Sequence, residues 1–483
     1  LMSRIYLLCL LILFGCNSAT GETKIKYLPN ILFLFADDYT FNAIHALGNQ
    51  VVETPNLDRL VRNGTHFSQA FNMGGWNGAV CIASRSMIIT GQTIWNAKAL
   101  TDDWSRGKRQ NHTSLSWGKL LEQKGYQTYM TGKWHVSIDP KKVFQTVRNI
   151  RPGMPKDYWS TEDQKGYDRP KEGQEDTWIA YDSLNGGFWE GGKHWSEVIK
   201  DDALDFLELT SRKETPFFMY LAFNAPHDPR QSPQSFLERY PIEKIPLPEN
   251  WLPEYPYKDA IGNQKTLRDE ALAPFPRTPF AIKTHIREYY AIITHLDKQV
   301  GKILKALDAS GKADNTYIFF TADHGLSVGK HGLLGKQSLF DHSIRVPLLV
   351  TGPDIPKNIA IEDEIYLQDI MATSLELAEI PIPKSVGFKS FLSLIKGKEK
   401  KTLYPEGIYG AYMDYQRMIR KDGYKLIVYP KINKILLFDL ESDPLETKNL
   451  GDLPQYKYIK KVLFKELTDL QKSINDSLKI SLN

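Results

Sequence analysis

Four short polar clusters, each at the end of an apolar run, hold the side chains best suited to chemistry: Asp37-Asp38, Lys133 with His135, His227-Asp228 and Asp323-His324. A single Asp after an apolar run is ordinary, because Asp favours turns. Four such clusters point to one site assembled from distant segments, since ligands of open α/β sheets bind at the carboxyl ends of the strands. Asp37, Asp38 and Asp323 converging there would repel one another unless a cation held them. Oxygen donors of this kind suit a hard divalent ion, Ca²⁺ or Mg²⁺, with His324 as a nitrogen ligand or a neighbour of the ligands. Between the first two clusters lies Cys81, with Arg85 one helical turn further on. A lone cysteine can be an inert core residue or a nucleophile.

The elements that must position these groups alternate in type. Asn30 to Ala36, NILFLFA, is a continuous apolar run of the sort expected for a parallel strand covered on both faces. Thr54 to Gly64 carries a cap residue, Pro in the first turn and Gly at the end, which predicts a short helix. A helix over Ser116 to Lys124 precedes a strand over Tyr126 to Thr131, and a helix over Trp195 to Leu209 precedes a strand over Phe217 to Phe223. Thr284 to Ala309 places Tyr290, Ile293, Leu296, Val300, Leu304 and Leu307 on one helical face, ahead of a strand over Tyr317 to Ala322. This rhythm predicts an α/β fold with a mostly parallel central sheet flanked by helices. Residues 138–194 and the segment holding eleven of the 27 prolines, Pro226 to Pro279, break the rhythm and read as long surface loops or lids. Beyond about Pro383, strands over Met418 to Tyr429 and Ile435 to Leu440 and a helix over Tyr456 to Ser473 predict a smaller C-terminal α+β subdomain. The expected division is 29–383 for the catalytic part and 384–483 for that subdomain.

The run Cys81-Ile82-Ala83-Ser84-Arg85, opening a helix, resembles the motif that type I sulfatases oxidise to formylglycine, in the form with Ala where Pro is more common. The resemblance spans about Pro29 to Leu450 and implies an alkaline-phosphatase-like fold. Asp37, Asp38, Asp323 and His324 match the family's Ca²⁺ ligands, the Asp-His pair being like that of iduronate-type sulfatases. Thr131-Gly132-Lys133-Trp134-His135, Ala225-Pro226-His227 and Gly335-Lys336-Gln337 match further elements of the family, as does the tail from Lys421 to Pro444. The resemblance implies that Cys81, converted to 3-oxoalanine by a formylglycine-generating enzyme, attacks sulfur as an aldehyde hydrate. Arg85 and Lys133 would stabilise the deprotonated hydrate, Lys336 would bind sulfate, His227 would protonate the leaving oxygen and His135 would act as base. Lys133 and His227 would also contact substrate, and His331, close to Lys336, is a further candidate for that role. The implied substrates are sulfated polysaccharides or oligosaccharides. Lys exceeding Arg suggests a low-GC bacterium, and with it an algal glycan such as ulvan. Two alternatives stand beside this reading. One is a phosphomonoester, phosphodiester or phosphonate hydrolase, against which no second Asp/His metal cluster is apparent in the sequence. The other is an inactive, lipid-anchored glycan-binding protein.

The N-terminal run IYLLCLLILF, Ile5 to Phe14, follows Arg4 and has the proportions of a signal-peptide core, too short to cross a bilayer. Residues 1–15 are therefore expected to be a signal peptide and 16–28 a linker. Leu13-Phe14-Gly15-Cys16 resembles a lipobox, which implies lipidation of Cys16 and a membrane association through that anchor alone; cleavage near Ala19 is the alternative. The expected location is the periplasm or outer membrane of a Gram-negative bacterium. With Cys9, Cys16 and Cys81 as its only cysteines, the chain cannot build a disulfide framework. A net charge of +4 over 483 residues is too small for a polyanion-coating surface, which argues against nucleic acid as a partner. His45, His66, His112, His285, His295 and His342 read as surface or packing histidines. Trp159, Trp178, Trp189 and Trp195 read as loop anchors or as platforms for sugar rings.

Overall fold

The computed structural model describes residues 28–109, 112–151, 153, 166–184, 189–211, 213–397 and 402–482. The expected signal peptide, Cys16 and Trp159 lie outside them. A nine-stranded sheet forms the centre. Its middle strand, β1 (Asn30–Ala36), is buried along its whole length, as an uninterrupted apolar run requires. It pairs in parallel with β6 (Phe217–Ala222) on one side and β7 (Thr316–Ala322) on the other. Beyond β6 lie β4 (Gln127–Lys133) and the edge strand β5 (Thr146–Arg151), both parallel. Beyond β7, β8 (Arg345–Thr351) runs antiparallel between β7 and β2 (Thr65–Phe71), and the short β9 (Ile359–Ile361) and β10 (Ile365–Tyr366) pair in parallel with β2. The mostly parallel sheet is as expected, with β8 the reversed strand among the described residues. Phe33, Phe35, Trp117 and Tyr220 pack with ring centroids 4.9–6.2 Å apart on one face of the sheet, and burying each contributes about 1.5–3 kcal/mol.

Helices cover the faces. The first, α1 (Pro55–Asn63), starts with its backbone amides at Asn56 and Leu57 donating to the Asp297 carboxylate, an N-terminal cap borrowed from another helix. That helix, α4 (Pro279–Ala309), begins one residue after Thr278, whose hydroxyl accepts from Ala281 N. It packs on α3 (Trp195–Ser211) and reaches the sheet end, where Tyr289 donates to the carbonyl of Asp38. The helix α2 (Val80–Thr90), almost wholly buried, ends in Gly91.

A second sheet of five strands holds β11 (Ile408–Tyr412), β12 (Gln416–Lys421), β13 (Tyr424–Tyr429) and β14 (Lys434–Asp439) as an antiparallel meander, with α5 (Lys457–Ser473) against it. Its fifth member is β3 (Gly74–Gly75), which pairs in parallel with Ala411 and Tyr412 of β11. A side chain at Gly74 would overlap the Ala411 carbonyl, its Cβ falling 2.0 Å from that oxygen. Glycine at this position is what lets the chain just before α2 join the distant sheet.

The described parts of the expected loops are built into the fold. Residues 138–194 include β5, and residues 226–232 are buried. Within the proline-rich segment, Arg277 and Glu270 form a fully buried ion pair, and Arg277 also donates to backbone carbonyls of its own loop. Fixed proline torsions and internally satisfied charges let this insert pack as structure rather than drape over the surface.

Candidate active site

The carboxyl ends of β1, β4, β6 and β7 bring the four clusters together, and backbone bonds knit them past the strand ends. Asp37 N donates to Ala225 O and Asp323 N to Ala36 O, both at 3.2 Å. Gly132, φ +94°, lies so close to β6 that a Cβ would come within 1.9 Å of the Ala222 carbonyl. A glycine there lets β4 end tightly against β6 and hand Lys133 to the site.

Cys81 sits in the first turn of α2, 2 % exposed, with its Sγ 3.2 Å from His324 Nε2. Burial pushes its thiol up, but the ammonium groups of Lys133 and Lys336 and the imidazole of His324 outweigh this and hold it well below its ordinary range. Arg85, fully buried, donates from Nε to Asp323 Oδ2 at 3.0 Å and from Nη1 to the Lys133 carbonyl at 2.8 Å, with its guanidinium 4.7 Å from the centroid of Phe35. Lys133 pairs with Asp37. Lys336 Nζ lies 2.9 and 3.0 Å from the Asp38 oxygens and 2.8 Å from His227 Nε2. His227 Nδ1 faces the Asp228 carbonyl at 2.6 Å, leaving Nε2 turned inward. Burial keeps His135 below its usual range despite Cys81 beside it, and its Nδ1 has no partner.

The donor set fits a divalent cation. Ligand atoms of Asp37, Asp38, Cys81 and His324 lie within 4.8 Å of one another. Asp37 Oδ1 is buried with no hydrogen bond. Burial, then Asp323, push the Asp37 carboxyl well above its ordinary range, and Asp323 and Asp38 overcome burial to push His324 up to about 9. Protons are thus held where a cation would relieve the same repulsion. Asp323 stands at the edge of this group, its oxygens facing Arg85 Nε, Asp38 N and His324 N.

Two expectations need correction. His331 does not join the cluster: it stacks on Phe340 with centroids 4.0 Å apart and its Nε2 faces the Glu446 carbonyl at 3.0 Å, so it braces the second sheet's approach. A second Asp/His group does exist, formed by Asp38, His227 and Asp228. It is already balanced by Lys336 and by Arg268, whose Nη1 lies 2.6 Å from Asp228 Oδ2. Of the flagged tryptophans, Trp178 and Trp195 are buried anchors, and Arg151 lies over Trp195. Sequence reading missed Arg268 and Asp269, which pair with each other beside Lys336, and named Gln337 without a role, although its side chain bonds Asp269 and the Gly78 carbonyl. It also missed Tyr289 under Asp38. The first two sit in the proline-rich insert, where no periodic pattern marks them.

A buried cysteine at a helix start, ringed by two lysines, an arginine, two histidines and three carboxylates at the end of this sheet, defines a hydrolase of anionic esters. The chain belongs to the sulfatase family, hydrolases of sulfate esters, whose profile matches residues 29–380. A second profile, the C-terminal part of N-sulphoglucosamine sulphohydrolase, matches residues 329–473. Among relatives, an N-acetylglucosamine-6-O-sulfatase of Bacteroides thetaiotaomicron is 26% identical over 95% of this chain and 89% of its own length. An ulvan-active sulfatase of Formosa agariphila is 27% identical over 93% and 82%. In fold, the chain resembles a protein solved with its substrate D-glucosamine-2-N,6-O-disulfate, with a TM-score of 0.71, 23% identity and coverage of 94% and 99%. It also resembles a phosphonate monoester hydrolase of Agrobacterium radiobacter, with a TM-score of 0.70, 20% identity and coverage of 92% and 96%.

Proposed function

We propose that this sulfatase removes sulfate from sulfated saccharides, using Cys81 after its conversion to formylglycine and a Ca²⁺ or Mg²⁺ ion held by Asp37, Asp38, Asp323 and His324. The observation that carries the reading is the position of Cys81: a buried side chain at a helix N-terminus, between the carboxylate cluster and Lys336. One hydroxyl of the aldehyde hydrate gives its proton to solvent and attacks sulfur as the alkoxide beside Lys133, the bond from sulfur to the sugar oxygen breaks, and His227 protonates that oxygen. His135, kept neutral by burial, takes the proton of the second hydroxyl. The carbon–oxygen bond to sulfate then breaks and the aldehyde returns, an exit that a plain thiol or serine ester lacks. Lys336 and Lys133 hold the sulfate oxygens, and Arg85 fixes the carboxylates. A divalent ion here supplies positive charge against the charge that develops on oxygen.

The saccharide class is supported by the relatives named for N-acetylglucosamine 6-sulfate and ulvan, and within it an algal glycan such as ulvan is the favoured substrate. We infer export through the N-terminal segment, division of the chain at about residue 383, and lipid anchoring at Cys16, with Cys16→Ser moving the protein out of the membrane fraction. Mass spectrometry of the peptide carrying Cys81 should show an aldehyde or its hydrate, and Cys81→Ala should abolish release of sulfate from a panel of defined sulfated oligosaccharides. A thiol in active enzyme would overturn the mechanism. Activity confined to small aryl or choline esters would overturn the saccharide reading, and faster turnover of aryl phosphate than aryl sulfate would favour the phosphoester alternative.

A further inference from the structure

A cavity of about 130 Å³ lies between the loop that follows Asp38, the turn that precedes Lys336, and α4. Its lining is unusual in charge. Among the described residues Lys330 is the one charged residue that lines it, and none of its lining is acidic. Among the described residues the Lys330 ammonium has no hydrogen-bond or ionic partner, and burial alone pushes it down to about 8. The same wall presents Asn42, whose side chain makes no hydrogen bond among the described residues, and Tyr290, whose hydroxyl accepts from Asn49 Nδ2 at 3.1 Å and keeps its own proton to give. The free polar capacity is thus a cation and two neutral donors on half-buried side chains that solvent reaches through the cavity, a set that an anion satisfies with charge-assisted hydrogen bonds.

The backbone holds Lys330 in place. Ser327, Val328 and Gly329 donate to the carbonyls of Gly335, Leu334 and Leu333, forming a hairpin with Lys330 near its tip. Val328 takes φ +45°, a conformation that branched residues rarely adopt, and His331 takes φ +53°. Gly329 lies so close to α4 that a Cβ would approach Ile282 Cγ2 to 2.4 Å. The turn is therefore clamped onto the helix, which keeps the half-buried Lys330 at the cavity wall.

We propose that this cavity is a second oxyanion site, separate from the Cys81 cluster, which takes a tetrahedral sulfate group with Lys330 as its ion partner and Asn42 and Tyr290 as donors. The group is either free sulfate, the product of the reaction, or a further sulfate on a multiply sulfated glycan. Occupancy would bear on the catalytic centre through two short routes. Lys336 stands at the foot of the same hairpin, and Tyr289, next to Tyr290, accepts from Thr40 N at 3.0 Å and donates to the Asp38 carbonyl at 2.7 Å.

The test is titration of the metal-loaded, full-length protein with sodium sulfate by calorimetry, alongside Lys330→Met and Asn42→Ala. Two sulfate sites are expected in the wild type. Lys330→Met should weaken one at least tenfold, Asn42→Ala should weaken the same one several-fold, and both should leave turnover of a singly sulfated substrate at low sulfate unchanged. Two kinetic arms separate the sources. If free sulfate is the ligand, Lys330→Met removes the non-competitive part of sulfate inhibition. If a glycan sulfate is the ligand, it raises KM for multiply sulfated oligosaccharides and not for singly sulfated ones. Folded variants that keep wild-type sulfate stoichiometry and both kinetic arms would overturn the proposal. Because sulfate binding is read without turnover, failure of the glycan assignment would not be mistaken for failure of this site.

Discussion

Replacing Arg85 is the sharpest perturbation of the site, because one guanidinium ties three strand ends. In Arg85→Ala, Asp323 loses its buried ion partner, which costs about 3–5 kcal/mol when a charge is left uncompensated. The Lys133 carbonyl loses its donor from Nη1, at about 1–3 kcal/mol. A fully buried side chain above Phe35 is also removed. A destabilisation of about 4–8 kcal/mol follows, and with an unfolding entropy of about 1 kcal/mol/K for a chain of this length it becomes a fall in Tm of about 4–8 °C. Arg85→Lys keeps the charge but cannot serve Asp323 and the Lys133 carbonyl at once, because it lacks the planar fork. It should recover about half of the lost stability while kcat/KM on an aryl sulfate still falls about 10²-fold or more. Both variants should hold less metal, measured by elemental analysis after dialysis. The reasoning fails if Arg85→Ala melts within about 1 °C of the wild type and keeps its full metal content.

Two further predictions concern buried charge away from the nucleophile. Lys425, fully buried, pairs with Asp341 and lies 2.6 Å from Glu446 Oε1; Lys425→Met should destabilise by about 3–5 kcal/mol. The loss should be larger at pH 8 than at pH 5, because burial pushes Glu446 up to about 7 and protonation relieves it at the lower pH, as denaturant melts at the two pH values would show. Burial pushes the Asp369 carboxyl up to about 7 as well, although Tyr404, Lys389 N and Tyr366 N donate to it. A carboxyl raised in this way holds its proton in the folded state only, so its contribution to stability declines as pH rises from about 4 to about 7. The Tm advantage of wild type over Asp369→Asn should therefore shrink over that window, and a constant difference would contradict it.

The site was legible where chemistry follows directly from a strand. Asn30 to Ala36 is apolar on both faces, so it had to lie mid-sheet, and Asp37-Asp38 had to emerge at its end. The same logic located Lys133, His227 and Asp323. It failed for β2 and β8, because THFSQAF alternates weakly and Pro347 interrupts RVPLLVT. There the chain accommodates the proline with an irregular register between Val346 and Leu348. It failed also for β3, since two glycines carry no pattern and only the approach of Ala411 gives them meaning. Arg268 and Asp269 were hidden because their partners, Asp228 and Lys336, are far away in sequence.

The pairing of β3 with β11 has a consequence in time. The strand that leads into the Cys81 helix finds its partner only after Ala411 and Tyr412 have been made, roughly 15–60 s later at ordinary rates of synthesis. Until then, the segment around Cys81 lacks one of the supports that shut it in. A cysteine 2 % exposed in the finished fold is out of reach of a modifying enzyme, so for the proposed formylglycine the late strand acts as a clock: maturation has to be complete before the second sheet closes.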